Sequence, residues 1–380
     1  MQVVVIFLTF LKSFNDFFFK IRRLIFAPFY WVFFPLPNPK QAVSIRTLIT
    51  EDRGHQIQKL SSPRTMVPKP PRIFGSLSGE YFKSRKDAVD VFGFELTNGR
   101  VFHDGNVITS EGQLIAETSQ ISSESTPKPL AGLVGLPRLR HFPGRLGVFA
   151  APMASRYFHW LLETLPRFYL LKEMQVDSFY VYGKHSFIRE SLELIGLGAD
   201  QILPPRKYAH WSADTLVGVT PLANSGSVSE ETINFLRSLV KEKMKTSDSA
   251  RRIYISRNDA RYRGVRNERA LLAQLDHYGF ERVLLSRLSF SEQIRLFASA
   301  EVVIAPHGAG LANLVFSPPG CTVIEFMPEN YVNACFWSLS EACGHHYYCI
   351  GGVKESGTHN LMTLDLKILD TVCKQSLGRK

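Results

Sequence analysis

The stretch EVVIAPHGAGLANLVFSPPGCTVIEF (residues 301–326) decides the fold. Residues 302–305 are a short unbroken apolar run, as expected of a strand covered on both faces. Pro306-His307-Gly308-Ala309-Gly310 breaks it, and residues 311–316 leave room for one or two helical turns before Pro318-Pro319-Gly320. Residues 322–326 read as a second strand. Upstream, Ser289 and Glu292 have the spacing of a capping box, opening a helix whose apolar stripe runs through Ile294, Leu296, Phe297 and Ala300. Helix, strand, glycine loop, short helix, strand is half of a doubly wound sheet, so the class is α/β.

The glycine loop lies where a parallel strand hands over to a helix N-terminus. Backbone N–H groups and the positive end of the helix dipole meet there, so an anion is the expected guest. Gly308 and Gly310 would let the backbone approach a diphosphate with no side chain in the way. Glu325, at the carboxyl end of the next strand, is placed to accept hydrogen bonds from ribose hydroxyls. A tight turn with a structural glycine pair is the alternative. Asn313 breaks the G-x-G-x-x-G dinucleotide fingerprint, which counts against a nicotinamide enzyme.

The chain has 380 residues, so two domains are the default. A net charge of +11 and a pI near 9.4 favour an anionic partner: nucleic acid, a phospholipid surface or a phosphorylated substrate. All five cysteines lie beyond position 320 with no C-x-x-C pair. That spacing suggests reduced, buried thiols rather than a disulfide framework or a zinc knuckle.

At the start, Phe7, Phe10, Leu11, Phe14, Phe17, Phe18, Ile21, Leu24 and Ile25 recur at helical spacing, with Lys12, Asp16, Lys20 and Arg23 opposite. No uncharged run there reaches the roughly 18–20 residues of a spanning helix, and the order of a signal peptide is missing. Residues 1–40 therefore read as an in-plane amphipathic segment that associates with an anionic membrane surface. A helix packed on the body, or a dimer contact, is the alternative. Residues 41–75 are polar and proline-bearing and read as a linker. Residues 89–117 look like a small β-meander with turns at Asn98-Gly99 and Glu111-Gly112, and carry no visible chemistry.

The second informative stretch is GVFAAPMASRYFHWLLETLPRFYLL (residues 147–171): a strand, a small-residue loop, and a helix from about Tyr157. His159 and Glu163 are four apart and share a helical face. A carboxylate beside an imidazole fixes its tautomer and raises its basicity, which suits a general base. A packed core histidine is the alternative. Further β/α/β alternation follows, so residues 76–245 form one lobe and residues 246–380 a second. The second opens with a strand at 253–255, which puts Ser256 and Arg257 at its carboxyl edge, facing the crevice where α/β ligands bind. Arg257 could fork onto a phosphate, and Arg261, Arg263, Arg266 and Arg269 enrich the neighbourhood. With no interleaved aromatics and no known module, nucleic acid is not expected.

Three segments, YFHWLLETLPR (157–167), IYISRNDARYRGVRNE (253–268) and HGAGLANLVFSPPGCTVIEF (307–326), together resemble glycosyltransferase family 61. The resemblance covers about half of the chain, and the order of the three segments makes it specific. It implies a GT-B-like architecture, two Rossmann-like lobes facing across a cleft, with a nucleotide sugar held on the C-terminal lobe. No metal or other cofactor is expected, in keeping with the lack of a convincing D-x-D motif. Carried over, His307, Gly308, Ala309, Gly310, Leu311 and Asn313 would cradle the diphosphate. Arg257, with Ser256, would pair with it, and Glu325 would hold the ribose. His159 and Glu163 would face the acceptor as its base, with Asp259 a competing carboxylate.

Family members of this kind invert the anomeric centre. The N-terminus looks more like that of bacterial members at the cytoplasmic face of a membrane, where a glycan or lipid-linked glycan of a surface polysaccharide would be the acceptor. The alternative is a nucleic-acid or anionic-membrane binding protein, or a membrane-bound scaffold, that uses its basic surface without catalysis.

Overall fold

The computed structural model describes residues 36–39, 41–50, 55–62, 69–82, 89–119, 135–203, 206, 209–243, 250–354 and 361–377. The aromatic amphipathic stretch at residues 7–25 and most of the expected hinge at 246–250 lie outside the described residues. No helix among the described residues is long and apolar enough to cross a membrane.

The second half of the chain builds a parallel sheet. Its strands lie in the order Glu281–Val283, Arg251–Ile255, Ala300–Pro306, Thr322–Pro328, His346–Lys354. Numbered along this half of the chain, that order is 2-1-3-4-5, a doubly wound arrangement that reverses direction between Arg251–Ile255 and Ala300–Pro306. Ligands of such sheets bind beyond the carboxyl ends of the strands at that reversal. Every residue of Thr322–Pro328 is buried, as an unbroken apolar run requires, and Glu325 is the exception in chemistry rather than in burial.

The helix Phe290–Ala298 carries its capping box: Ser289 Oγ accepts from the Glu292 amide, and the Glu292 carboxylate accepts from the Ser289 amide at 2.8 Å. Ala309–Phe316 is a 3-10 helix.

The first half builds a mixed sheet around the long strand His210–Val219. On one side it pairs parallel with Arg140–Phe149, which in turn pairs parallel with Ser178–Val181. On its other side lie antiparallel Val91–Thr97 and Arg100–Phe102, followed by Asn106–Ile108 and Leu114–Ile115, the expected meander. The three parallel strands share one carboxyl edge.

Residues 41–75 do more than link. Ala42–Val43 and Gln56–Ser61 pair into the first sheet, and Arg72–Phe74 adds a parallel strand to the second beside His346–Lys354. Strands of two to six residues, paired far along the chain, leave no readable alternation, which is why the segment reads as irregular. Around Arg72–Phe74, Trp337 Nε1 donates to the Lys69 carbonyl at 2.9 Å and Phe82 meets Trp337 edge-on.

One apolar core runs between the sheets. Phe149, Trp160, Leu165 and Leu236 from the first half share it with Ile253, Val303, Leu311, Val323 and Leu339 from the second. Separate cores cover the outer faces, with Tyr254, Phe326 and Leu369 on the second sheet and Phe94, Leu146 and Leu216 on the first.

Candidate active site

Loops from the carboxyl ends of both sheets line one pocket of about 590 Å³. Met153, Arg156 and His159 follow the strand Arg140–Phe149, and Ser225 and Gly226 follow His210–Val219. From the second sheet come Arg263, then His307 and Ala309, then residues 331–338. A larger groove of about 850 Å³ runs along the edge strand Glu281–Val283, but its Arg251 is paired with Glu281 and its Arg282 reaches Ser256. That groove holds no acid–base pair.

His159 and Glu163 sit in a π-helical turn, His159–Thr164, at the mouth of the first sheet. Such wide turns recur at functional sites. His159 Nδ1 lies 2.7 Å from Glu163 Oε2, and Ser225 Oγ (2.8 Å) and the Gly226 amide (3.1 Å) donate to Oε1. Burial pushes the Glu163 carboxyl up, but the hydrogen bond and charge of His159, with Ser225 and Gly226, outweigh it and hold the group below its ordinary value. With Nδ1 committed to the carboxylate, Nε2 is the ring nitrogen left for the pocket. Behind them Arg167, 2 % exposed, donates from Nε to the Glu163 carbonyl and from Nη1 to the Val219 carbonyl. These bonds tie the π turn to the strand whose loop supplies Ser225.

The second sheet presents a similar pair. His307 Nδ1 lies 2.5 Å from Glu325 Oε1, and Tyr347 donates its hydroxyl to Oε2 at 2.5 Å. Glu325 is wholly buried and both its oxygens are engaged, by His307 and Tyr347, so it is not placed for the expected ribose contact. The His307 ring packs between Phe336 and Tyr331, at 5.1 and 5.5 Å between centroids.

Other expected cradle residues are also placed differently. Ser256 is buried and donates to Glu268 Oε1 at 2.7 Å, in a network with Tyr254 and Asn258, so it faces away from the pocket. Asn313 is wholly buried: it donates to Gln293 and to the Gly310 carbonyl, and accepts from Tyr157 at 2.5 Å. Leu311 belongs to the core. A Cβ on Gly310 would meet Leu285, so that glycine makes room for packing rather than for a ligand. The competing carboxylate Asp259 accepts from Ser286 and is absent from the pocket wall.

Arg257 does meet the glycine turn. A Cβ on Gly308 would collide with its Nη1, while Nε and Nη2 both donate to the Tyr262 carbonyl, at 3.1 and 3.0 Å. Burial, then the like charge of Arg263, pull the Arg257 guanidinium down to about 10, with Asp259 opposing. Arg263 in turn stacks on Tyr331, 4.7 Å from its ring centre, and supplies the second sheet's cation in the pocket wall, with Arg156 on the first sheet's side. Two guanidiniums thus converge at the reversal point of the sheet, beside His307 and Ala309.

Residues 157–324 match the family model described as Glycosyltransferase 61. This segment is a glycosyltransferase 61 domain. The domain contains His159, Glu163, Arg257, Arg263 and His307, and so reaches both walls of the pocket. A stretch of 97 residues is 36% identical to the EGF domain-specific O-linked N-acetylglucosamine transferase of Drosophila melanogaster, covering 25% of this chain and 18% of that protein. A stretch of 67 residues is 30% identical to the Beta-1,2-xylosyltransferase of Arabidopsis thaliana, covering 18% of this chain and 12% of that protein. The chain thus spans less than a fifth of either relative's length.

Several lining residues escape the sequence reading. Arg156 precedes the π turn, and the serine–glycine pair at 225–226 lies 62 residues beyond Glu163. Arg263 carries one local signal, its place in an arginine cluster after the strand. Tyr347 carries none, because its partner Glu325 lies on the neighbouring strand.

Proposed function

We propose that this protein is an inverting, GT-B-like glycosyltransferase that moves a hexosyl or pentosyl group from a nucleotide sugar to a hydroxyl of a glycan or lipid-linked glycan. The observation that carries the reading is the convergence, in one pocket, of His159 from one sheet, backed by Glu163, with Arg263 and His307 at the reversal point of the other, where Arg257 stands behind the wall against Gly308. In a single in-line displacement, His159 Nε2 takes the acceptor's proton, Glu163 steadies the imidazolium, and fixed positive charge receives the departing diphosphate. Arg263, the amide of Ala309 and the edge of His307 hold the phosphates, with Arg257 set against Gly308. With two guanidiniums in that role, we expect no metal requirement, so turnover persists in EDTA.

A thermal-shift panel of nucleoside diphosphates and nucleotide sugars tests the donor reading: at least one raises Tm, and Arg257→Ala or Arg263→Ala removes the shift. A panel without any shift overturns it. The alternative of a nucleic-acid binder fits less well, since these cations sit in a concave site with acid–base pairs rather than along an open face. Residues 1–40 would hold the enzyme peripherally at the cytoplasmic face of a membrane, acting in surface-polysaccharide synthesis. The aromatic amphipathic spacing and the charge of +11 support this.

A further inference from the structure

The proposed reaction needs one base, yet the pocket holds two histidines tied through Nδ1 to buried carboxylates, one from each sheet. Only one of them can face the acceptor. His307 stands on the turn at the reversal point of the parallel sheet, next to Gly308 and Arg257, where the phosphates would lie. Its support is more elaborate than a cradle needs: a wholly buried carboxylate on the central strand Thr322–Pro328, itself held by a tyrosine hydroxyl from the next strand. A buried carboxylate is costly unless it is paired, and the His307 ring and the Tyr347 hydroxyl are the partners that this geometry supplies. We propose that His307 is a second catalytic residue, delivering a proton from Nε2 to the leaving diphosphate, with Glu325 and Tyr347 as the positioning residues that aim it. This inference rests on the donor reading above.

The step balances. The acceptor oxygen bonds to the anomeric carbon while its proton passes to His159 Nε2. The bond from that carbon to the diphosphate oxygen breaks, the electron pair stays on oxygen, and that oxygen takes the His307 proton. Exchange with solvent then returns both rings to their starting states: His159 gives one proton to bulk and His307 takes one, so the proton lost by the acceptor is balanced by the one carried off on the diphosphate.

Glu325, Tyr347, Cys335, Cys349 and Arg263 are ionisable groups around His307 and its carboxylate. Glu325 is the carboxylate against it, and Tyr347 stays neutral because burial pushes its hydroxyl well up. Cys335 and Cys349, within electrostatic reach of Glu325, are likewise pushed up by burial and remain thiols. Tyr331 packs on the ring, and Arg263 stacks on Tyr331 in turn, where a bound diphosphate would neutralise it.

The test uses donor hydrolysis, with water as acceptor, so the natural acceptor need not be known. UDP-, GDP- and ADP-sugars are the probes, and nucleoside diphosphate release is the readout. His307→Gln should lower kcat by about 100-fold, the scale of one general acid, well beyond any loss of affinity for the nucleoside diphosphate. Glu325→Gln and Tyr347→Phe should lower kcat by about tenfold, as supporting partners of an active-site histidine do. The alkaline limb of the wild-type pH profile should vanish in His307→Gln and move in Glu325→Gln, while His159→Gln removes the acid limb instead. If Glu325→Gln fails to fold, Tyr347→Phe carries the same comparison. A His307→Gln enzyme that binds nucleotide poorly but keeps kcat and its alkaline limb overturns the proposal and leaves the donor reading standing. A wild type that binds none of the nucleotides overturns both.

Discussion

At Gly308 the backbone is extended, with φ 175°, a conformation any residue adopts, so space and not torsion demands the glycine there. The space is filled by the far end of a flexible side chain, the Arg257 guanidinium. Gly308→Ala should therefore fold with nearly the wild-type Tm but displace Arg257, weakening nucleoside diphosphate binding by about tenfold, roughly one charge-assisted hydrogen bond. Titration calorimetry beside a melting curve separates the two effects. Glu163 gives a pH prediction. Its folded value is depressed, so its contribution to stability is present above the ordinary glutamate value of 4.5 and is lost as pH falls through the lower folded value. Denaturant curves of Glu163→Gln should diverge from wild type at neutral pH and approach it in acid. A constant gap across that range would reject the assignment. Both the His159–Glu163 spacing and the Arg257–Gly308 neighbourhood were legible in sequence. The role of Glu325 was not, because a strand's apolar run says that a side chain is buried but not which distant hydroxyl and imidazole will claim it.

Among elements, the joint between the π turn and the 3-10 helix Ala309–Phe316 carries the next prediction. Tyr157 donates to Asn313, whose amide also bonds Gln293 and Gly310, so one hydroxyl fastens an element of the first half to the floor of the second. Tyr157→Phe leaves a buried amide oxygen without its donor, which costs about 1–3 kcal/mol, and should lower the denaturation midpoint without changing the slope. The helix with its capping box and the long strands were legible, since their periods and caps are local. The 3-10 geometry of residues 309–316 was legible only as shortness. The pieces at 42–43, 56–61 and 72–74 escaped notice because each is defined by a partner in another part of the chain.

For the whole molecule, the α/β class and the parallel sheet of the second half were legible from the order of elements, whereas the pocket, assembled from segments between Tyr81 and Ser338, was not. The basic balance of the chain yields a prediction at this scale. If residues 1–40 hold the enzyme at an anionic surface, their deletion should release it from vesicles containing phosphatidylserine, and raising salt should weaken binding of the full chain. Unchanged vesicle binding after the deletion would assign attachment to another part of the surface.

The strand Arg72–Phe74 has a consequence for how the protein is made. During synthesis it waits for His346–Lys354, nearly 280 positions later, before its backbone groups find their partner. That flank of the sheet therefore cannot close until His346–Lys354 has been made. A fragment beginning near residue 250 would emerge with that flank of the sheet uncovered, an open template for self-association. Co-expressing the missing segment as a separate peptide should restore solubility to such a fragment, whereas trimming at the opposite end, beyond Leu377, should leave yield unchanged.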